Sequence, residues 1–186
     1  MKEIPLTQGK VALVDDSDFE LLSQFKWCAS KVTTKTNGDI WYAVRTVKRV
    51  NGRDTNISMH RFILGAPKGM VVDHRNHNGL DNRRSNIRLC TVAQNSHNIR
   101  RARRNLPRGC SLIHPNREKK YQANICVNGR SYNLGAFSDP IQAGMAYDLA
   151  SMVLHGEFGI RNGLVDLSLA ESEIPKLRHL LEAKQS

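Results

Sequence analysis

The stretch Val71–Asn98, VVDHRNHNGLDNRRSNIRLCTVAQNSHN, constrains this 186-residue chain more than any other. Val71–His74 reads as a short strand, and Asn76–Asn82 is turn chemistry rich in Asn, Gly and Asp. Ile87–Cys90 reads as a second strand. Thr91-Val-Ala-Gln94 then has the capping-box form, a Thr three residues before a Gln, which predicts a helix from Val92. The order strand, strand, helix puts Asp73 and His74 at the end of the first strand. Asn95 falls in the first helical turn.

That arrangement suits hydrolysis of a phosphodiester. Asp73 and Asn95 offer hard oxygen ligands, the kind Mg²⁺ (or Mn²⁺) takes while keeping several waters and a substrate phosphate. His74 beside them is a general base toward water, since an unperturbed imidazole titrates near working pH. Asn86 is placed to hydrogen-bond and orient that imidazole. Taken singly, each of these is an ordinary loop residue. A zinc site is the other alternative, because His74, His77 and His97 lie close in sequence, but no CxxC or single-face HxxxH supports it.

The formal net charge is +11, which points to an anionic partner. Its distribution says more. Residues 1–43 carry five Lys and Arg against six acids, residues 44–108 fifteen against three, and residues 109–186 eight against eight. The positive middle brackets the Asp/His/Asn cluster, which favours nucleic acid over a membrane surface. Cys28, Cys90, Cys110 and Cys126 form no metal-ligand pair. With no signal peptide and no apolar run near 18 residues, they read as free thiols in a reducing cytoplasm.

Met59-His60-Arg61, Val72-Asp73-His74, Asn82, Asn86 and Asn95 together resemble the HNH endonucleases, in particular their mobile, phage-type group with the ββα-metal fold. The spacings fit: His74 to Asn86 is twelve residues and His74 to Asn95 is twenty-one. The resemblance implies that Asp73 and Asn95 bind the divalent metal, that His74 is the general base, and that Asn86 positions it.

Upstream, Ala12–Val14 reads as a strand and Phe19–Phe25 as a short helix packing Phe19, Leu22 and Phe25. Trp27 to Val32 and Ile40 to Val50 read as strands, and Asn51-Gly52 as a hairpin turn into a strand at Asn56–His60. Trp27 and Trp41 are expected in the core. Arg45, Lys48, Arg49 and Arg53 line either a DNA path or solvated strand edges.

Ser96–Arg108 holds five Arg and no acid. It reads as a basic linker in which Arg100, Arg101, Arg103 and Arg104 gain affinity by releasing phosphate counterions. Beyond it, Tyr121–Val127 alternates with a period of two, Asn128-Gly129 signals a hairpin, and Tyr132 and Leu134 continue the pattern on a partner strand. A strand near Cys110–His114 makes three. Ser138-Asp139-Pro140 starts a helix that Gly156 stops, with small Ala143, Gly144, Ala146 and Ala150 lying close to the sheet. The other sheet face presents Gln122, Asn124, Ser131 and Asn133, whose amides and hydroxyls suit base edges.

Tyr121–Val127, Leu134-Gly135-Ala136-Phe137, Ala143 to Ala150 and the closing Asn162 make this module resemble the plant ethylene-response-factor DNA-binding domain. That resemblance implies a sheet in the major groove, with His114, Asn116, Lys120, Asn124, Cys126, Ser131 and Asn133 toward DNA. The plant domains favour Glu, Arg and Trp where Asn124, Cys126 and Asn133 stand, so the implied fold carries over better than the target site. Leu164–Ser186 reads as an amphipathic tail helix broken near Pro175.

The expected architecture is α+β. A nuclease domain with an N-terminal extension spans 1–98, a basic linker 99–108, a three-stranded antiparallel sheet packed on one helix 109–163, and a helical tail 164–186. The expected activity is site-directed, metal-dependent cleavage of double-stranded DNA. The rival readings are a catalytically silent DNA-binding regulator on a nuclease scaffold and an RNA-binding module. Oligomeric state is left open, with a monomer favoured.

Overall fold

The computed structural model describes residues 1–34, 38–48, 52, 54–98 and 105–165. The chain divides into two compact units, Met1–Ala102 and Arg103–Ser186.

In the first unit, β1 (Lys2–Pro5) and β2 (Val11–Val14) form an antiparallel hairpin. Helix α1 (Asp16–Ser23) follows, with Asp16 and Asp18 in its first turn, where carboxylates complement the helix dipole. It therefore starts earlier than the Phe19–Phe25 pattern indicated. Strands β3 (Cys28–Thr34), β4 (Gly38–Val47) and β5 (Thr55–Ser58) make a second antiparallel sheet in that order. Ile4, Ala12, Val14, Leu22, Trp27, Ala43 and Met59 form the core, padded by Phe19, Phe25, Phe62 and Ile63. Trp27 satisfies its indole by donating to the Leu22 carbonyl at 2.9 Å. Strand β1 buries only Ile4, so it carries no period-two signal.

The strand expected at Asn56–His60 stops at Ser58, and helix α2 (Met59–Ile63) begins. The reason is packing: a helical turn brings Met59, Phe62 and Ile63 onto one face against the core, which a strand's alternation cannot do. The turn expected at Asn51-Gly52 lies largely outside the described residues. Arg61 donates to the carbonyls of Ala66 and Met70, at 3.0 and 2.7 Å, stapling the loop that leads onward.

Strands β6 (Val71–His74) and β7 (Ile87–Cys90) pair antiparallel, and helix α3 (Val92–His97) follows. The capping box is formed. Thr91 Oγ1 accepts from the Gln94 amide at 3.1 Å, and Gln94 Oε1 accepts from the Thr91 amide at 2.8 Å. The turn between β6 and β7 is moored to β2. Leu13 donates to the Leu80 carbonyl and accepts from the Asn82 amide, both at 2.8 Å. Arg84 reaches back to α1, with Nε and Nη2 on the Asp18 carboxylate at 2.8 and 2.7 Å. Gly79 passes so close to β4 that a Cβ there would run into the Trp41 carbonyl and the Tyr42 ring.

In the second unit, β8 (Cys110–Leu112), β9 (Tyr121–Val127) and β10 (Arg130–Phe137) form an antiparallel sheet ordered β10-β9-β8. Asn128 and Gly129 both take positive φ, as a two-residue hairpin of the primed type requires. Helix α4 (Pro140–His155) starts where its sequence signal places it. Asp139 caps it by accepting from the Ile141 amide at 2.8 Å, and Gly156 ends it. Cys110, Ala123 and Ala143 form one buried cluster, and Ile125, Tyr147 and Ala150 another.

The expected linker needs correcting at its C-terminal end. Leu106 packs against the Cys110 cluster, Arg108 donates from Nε to Tyr147 Oη at 2.8 Å, and its backbone amide donates to Asn162 Oδ1 at 2.7 Å. These residues are part of the second unit, because its cluster needs Leu106 and its closing Asn162 needs the Arg108 backbone. Asn162 in turn donates its amide to Asp148 at 2.7 Å. The tail from residue 166 onward, with most of its expected helix, lies outside the described residues.

Candidate active site

Asp73 and His74 end β6, and antiparallel register sets Asp73 opposite Arg88 and His74 opposite Ile87. The Arg88 guanidinium donates Nε and Nη2 to a single oxygen, Asp73 Oδ2, at 2.9 and 2.7 Å. Asn98, at the C-cap of α3, donates from Nδ2 to Asp73 Oδ1 at 2.8 Å and to Oδ2 at 3.0 Å. Both Asp73 and Arg88 are buried, so this is a sheltered ion pair with the carboxylate fixed in place.

His74 is buried beside Tyr42 and His60. Burial pushes its pKa below the ordinary histidine value, while a hydrogen bond to Asn82 and the nearby Asp73 and Asp81 charges pull upward. Loss of hydration is the largest of these causes, so the neutral ring is favoured. His74 Nε2 and Asn82 Oδ1 are both buried and without a partner of regular geometry. They are chemically complementary, a ring N–H and an amide oxygen, and Asn82 is the amide that acts on this imidazole.

Asn86, expected to orient that ring, makes its hydrogen bonds within the turn. Its Oδ1 accepts from the Asn76 amide at 3.1 Å and its Nδ2 donates to the Asp81 carbonyl at 2.7 Å, so it shapes the turn and does not reach the ring. Asp81 stiffens the same turn through a two-point contact with Arg83, at 2.7 and 2.6 Å, and a bond from Asn76 at 2.9 Å.

A pocket of about 160 Å³ opens on these residues, lined by Asp73, His74, His77, Asn95, Asn98 and Tyr42 among others. Asn95 thus shares a cavity with Asp73 and His74. His77 is held at φ 64°, with its amide donating to the His74 carbonyl at 3.0 Å. No group of three or more His, Cys, Asp or Glu is arranged to hold a metal among the described residues, and His97 does not line the pocket.

Arg88, Asn98, Asn82 and Tyr42 take part in ways the sequence reading did not assign. Arg88 was open to detection, since pairing Val71–His74 with Ile87–Cys90 sets a cation across from Asp73. Asn98 stands three residues after Asn95, one helical turn on.

The remaining candidates lie in the second unit. Register pairs Asn133 with Asn124 and Ser131 with Cys126, on the sheet face opposite the buried Ala123 and Ile125. Asn133 Oδ1 also accepts from the Gly135 amide at 2.8 Å, across a bulge in β10, so part of that side chain is engaged in shaping the strand. His114 and Asn116 are exposed in the turn between β8 and β9, and Lys120 is half-buried at its end. Arg100, Arg101, Arg103 and Arg104 lie outside the described residues, as do Arg49 and Arg53.

Residues 63–97 match the family model for HNH endonucleases. A protein of Acanthamoeba polyphaga mimivirus, described as an uncharacterized HNH endonuclease, is 28% identical over 161 residues, covering 83% of this chain and 76% of its own. No solved structure matches. The chain carries an HNH endonuclease domain and is a nuclease enzyme. Among the described residues, no helix is long and apolar enough to cross a membrane.

Proposed function

We propose that the chain is a divalent-metal-dependent, site-directed endonuclease for double-stranded DNA, cutting through the first unit and choosing its site through the second. The observation that carries the cutting half is the shared pocket of Asp73, His74 and Asn95, with burial holding His74 toward its neutral form.

The donor set fits Mg²⁺ or Mn²⁺. Asp73 Oδ1 receives one hydrogen bond, from Asn98, and keeps capacity for a cation, while the Asn95 amide oxygen is a second hard donor. Asp73 and Asn95 would hold the ion, which when bound supplies stabilisation for charge developing on the phosphate and the leaving oxygen. His74 takes the proton of the attacking water. With Nε2 buried toward Asn82, Nδ1 is the nitrogen that carries the lone pair. Tyr42 and His60 keep the ring dry and fix its plane.

The targeting half rests on the second unit. Supporting this reading are an antiparallel three-stranded sheet and a helix covering one face, with Asn124, Ser131 and Cys126 on the other, the arrangement expected of an ethylene-response-factor-type module. Arg100, Arg101, Arg103 and Arg104 add backbone affinity without reading bases.

A plasmid-nicking assay with Mg²⁺, with and without chelator, tests the activity. Metal-dependent nicking that His74→Ala abolishes is the expected result. Tight DNA binding with no nicking in any divalent metal would make the chain a silent DNA-binding regulator instead.

A further inference from the structure

Asp73 is gripped by Asn98, which lines the pocket, and by Arg88, which does not. Arg88 does not line the cavity, yet both of its bonds to the carboxylate end on Oδ2, which takes a third from Asn98. A carboxylate oxygen has about two lone-pair sites, so Oδ2 is saturated. Oδ1, with a single bond at 2.8 Å, is the atom left for a cation. The two charged side chains are each 7% exposed, so little solvent screens them.

This geometry has an electrostatic consequence. Among the described residues Asp73 is the only acid lining the pocket, Asn95 and Asn98 are neutral amides, and Arg88 cancels the Asp73 charge at close range. A divalent ion entering the pocket of the protein alone meets a nearly neutral pair. We infer that Arg88 makes metal binding conditional on DNA: the missing negative charge arrives with the phosphodiester, so the ion is held firmly only when substrate is present. This rests on the metal-site reading proposed above and extends it to order of binding. Arg88 is thereby a positioning residue that aims Oδ1 and withholds charge until the substrate is seated. Groups behind metal ligands usually strengthen them, and losing one weakens metal binding. Here the group is a cation, so the sign reverses.

The test is a titration of Mn²⁺ into the full chain, followed by the electron-spin-resonance signal of the free ion. His74→Ala serves as a non-cleaving background when a DNA duplex is added. Duplex should tighten Mn²⁺ binding at least about tenfold. In the absence of DNA, Arg88→Gln, which keeps a donor for Oδ2 but no charge, should bind Mn²⁺ about 10–100-fold more tightly than the wild type, the size such outer groups have. By linkage, Mn²⁺ must tighten DNA binding in the His74→Ala background by the factor by which duplex tightens Mn²⁺. Adding Arg88→Gln to that background should shrink the factor.

Arg88→Gln that binds Mn²⁺ no better than wild type would overturn the inference, as would wild-type affinity that duplex leaves unchanged. The duplex measurement needs no change at Arg88, so it stands even if Arg88→Gln fails to fold. Asp73→Asn separates the two layers: if it leaves Mn²⁺ binding intact, the metal site itself is elsewhere.

Discussion

The rings of His60 and His74 meet edge to face, with centroids 4.9 Å apart and planes at 85°. Tyr42 lies against both, at 5.7 and 5.9 Å. Burial, the neighbouring His74 and the Arg61 charge lower the His60 pKa to about 3. Two imidazoles packed this closely and this deeply buried both favour their neutral forms.

Stability should therefore fall with acid. Unfolded, His60 and His74 take up protons below about pH 6.5. Folded, both take up protons at lower pH than that, His60 at about 3. Between these limits the unfolded state binds more protons, so stability is full above pH 6.5 and declines as pH drops, by up to about 1.4 kcal/mol per unit for each group. His155 of the second unit, lowered chiefly by burial, acts in the same direction. Urea denaturation at pH 7.5 and pH 5 measures the slope. His60→Phe should flatten it by one group's share; an unchanged slope would show that His60 is protonated in the folded protein.

For cleavage, His74→Ala should cost at least about 10²-fold in rate, the usual contribution of a general base, with DNA affinity nearly unchanged. Because burial lowers the His74 pKa, the acid limb of kcat/KM for the wild type should bend below pH 6.5. A limb centred above pH 7 would assign the base to a different group.

Asn82 and Asn86 should separate cleanly. Asn82→Ala removes the amide facing the imidazole and should move the pH profile as well as lower kcat. Asn86→Ala cuts the turn's bonds to the Asn76 amide and the Asp81 carbonyl, and should cost stability by about 1–3 kcal/mol, the penalty for buried groups left unpaired. Calorimetry and pH–rate profiles on both variants decide. If Asn82→Ala only destabilises, its action on the ring is merely structural.

That exchange of roles shows where reading the chain stops. Asp73, His74 and the Thr91–Gln94 capping box are local patterns, and they stand where the sequence places them. Which of several amides in 76–86 meets the ring is not local, because the turn's path depends on Leu13, nearly seventy residues upstream. Arg88 and Asn98 are only partly legible in the sequence for a related reason. Each looks like a surface residue until register and helix length carry it onto Asp73. Met59 and His60 misled differently, since five residues are too few for helix and strand periods to diverge.

Salt should weaken DNA binding steeply, with a slope near −0.9 for each phosphate neutralised. Replacing Arg100, Arg101, Arg103 and Arg104 by Gln should flatten that slope and leave sequence preference alone. Binding measured from about 50 to 200 mM salt tests it, and an unmoved slope would mean that the stretch never meets DNA.

The two units should divide the labour. Each has its own buried cluster, and Leu106 and Arg108 belong to the second, so the separation falls near Ala102. A chain of residues 1–102 should nick DNA in Mg²⁺ with weak affinity and relaxed site choice. Mapping cut ends on a mixed library, beside the full chain, reads the difference; undiminished selectivity would remove the targeting role from the sheet.

Leu13 grips the turn at Leu80 and Asn82 from both sides, and Asp15 and Asp18 hold the Arg84 that follows. The nuclease is for that reason not portable as residues 63–97. A chimera grafted with that segment would inherit Asp73 and His74 without the strand that bends their turn. The same contacts order events on the ribosome, because β2 emerges first and stays unpartnered on that side until the turn is synthesised. The smallest transplantable cutter therefore has to carry β2 and the start of α1 along with residues 63–97.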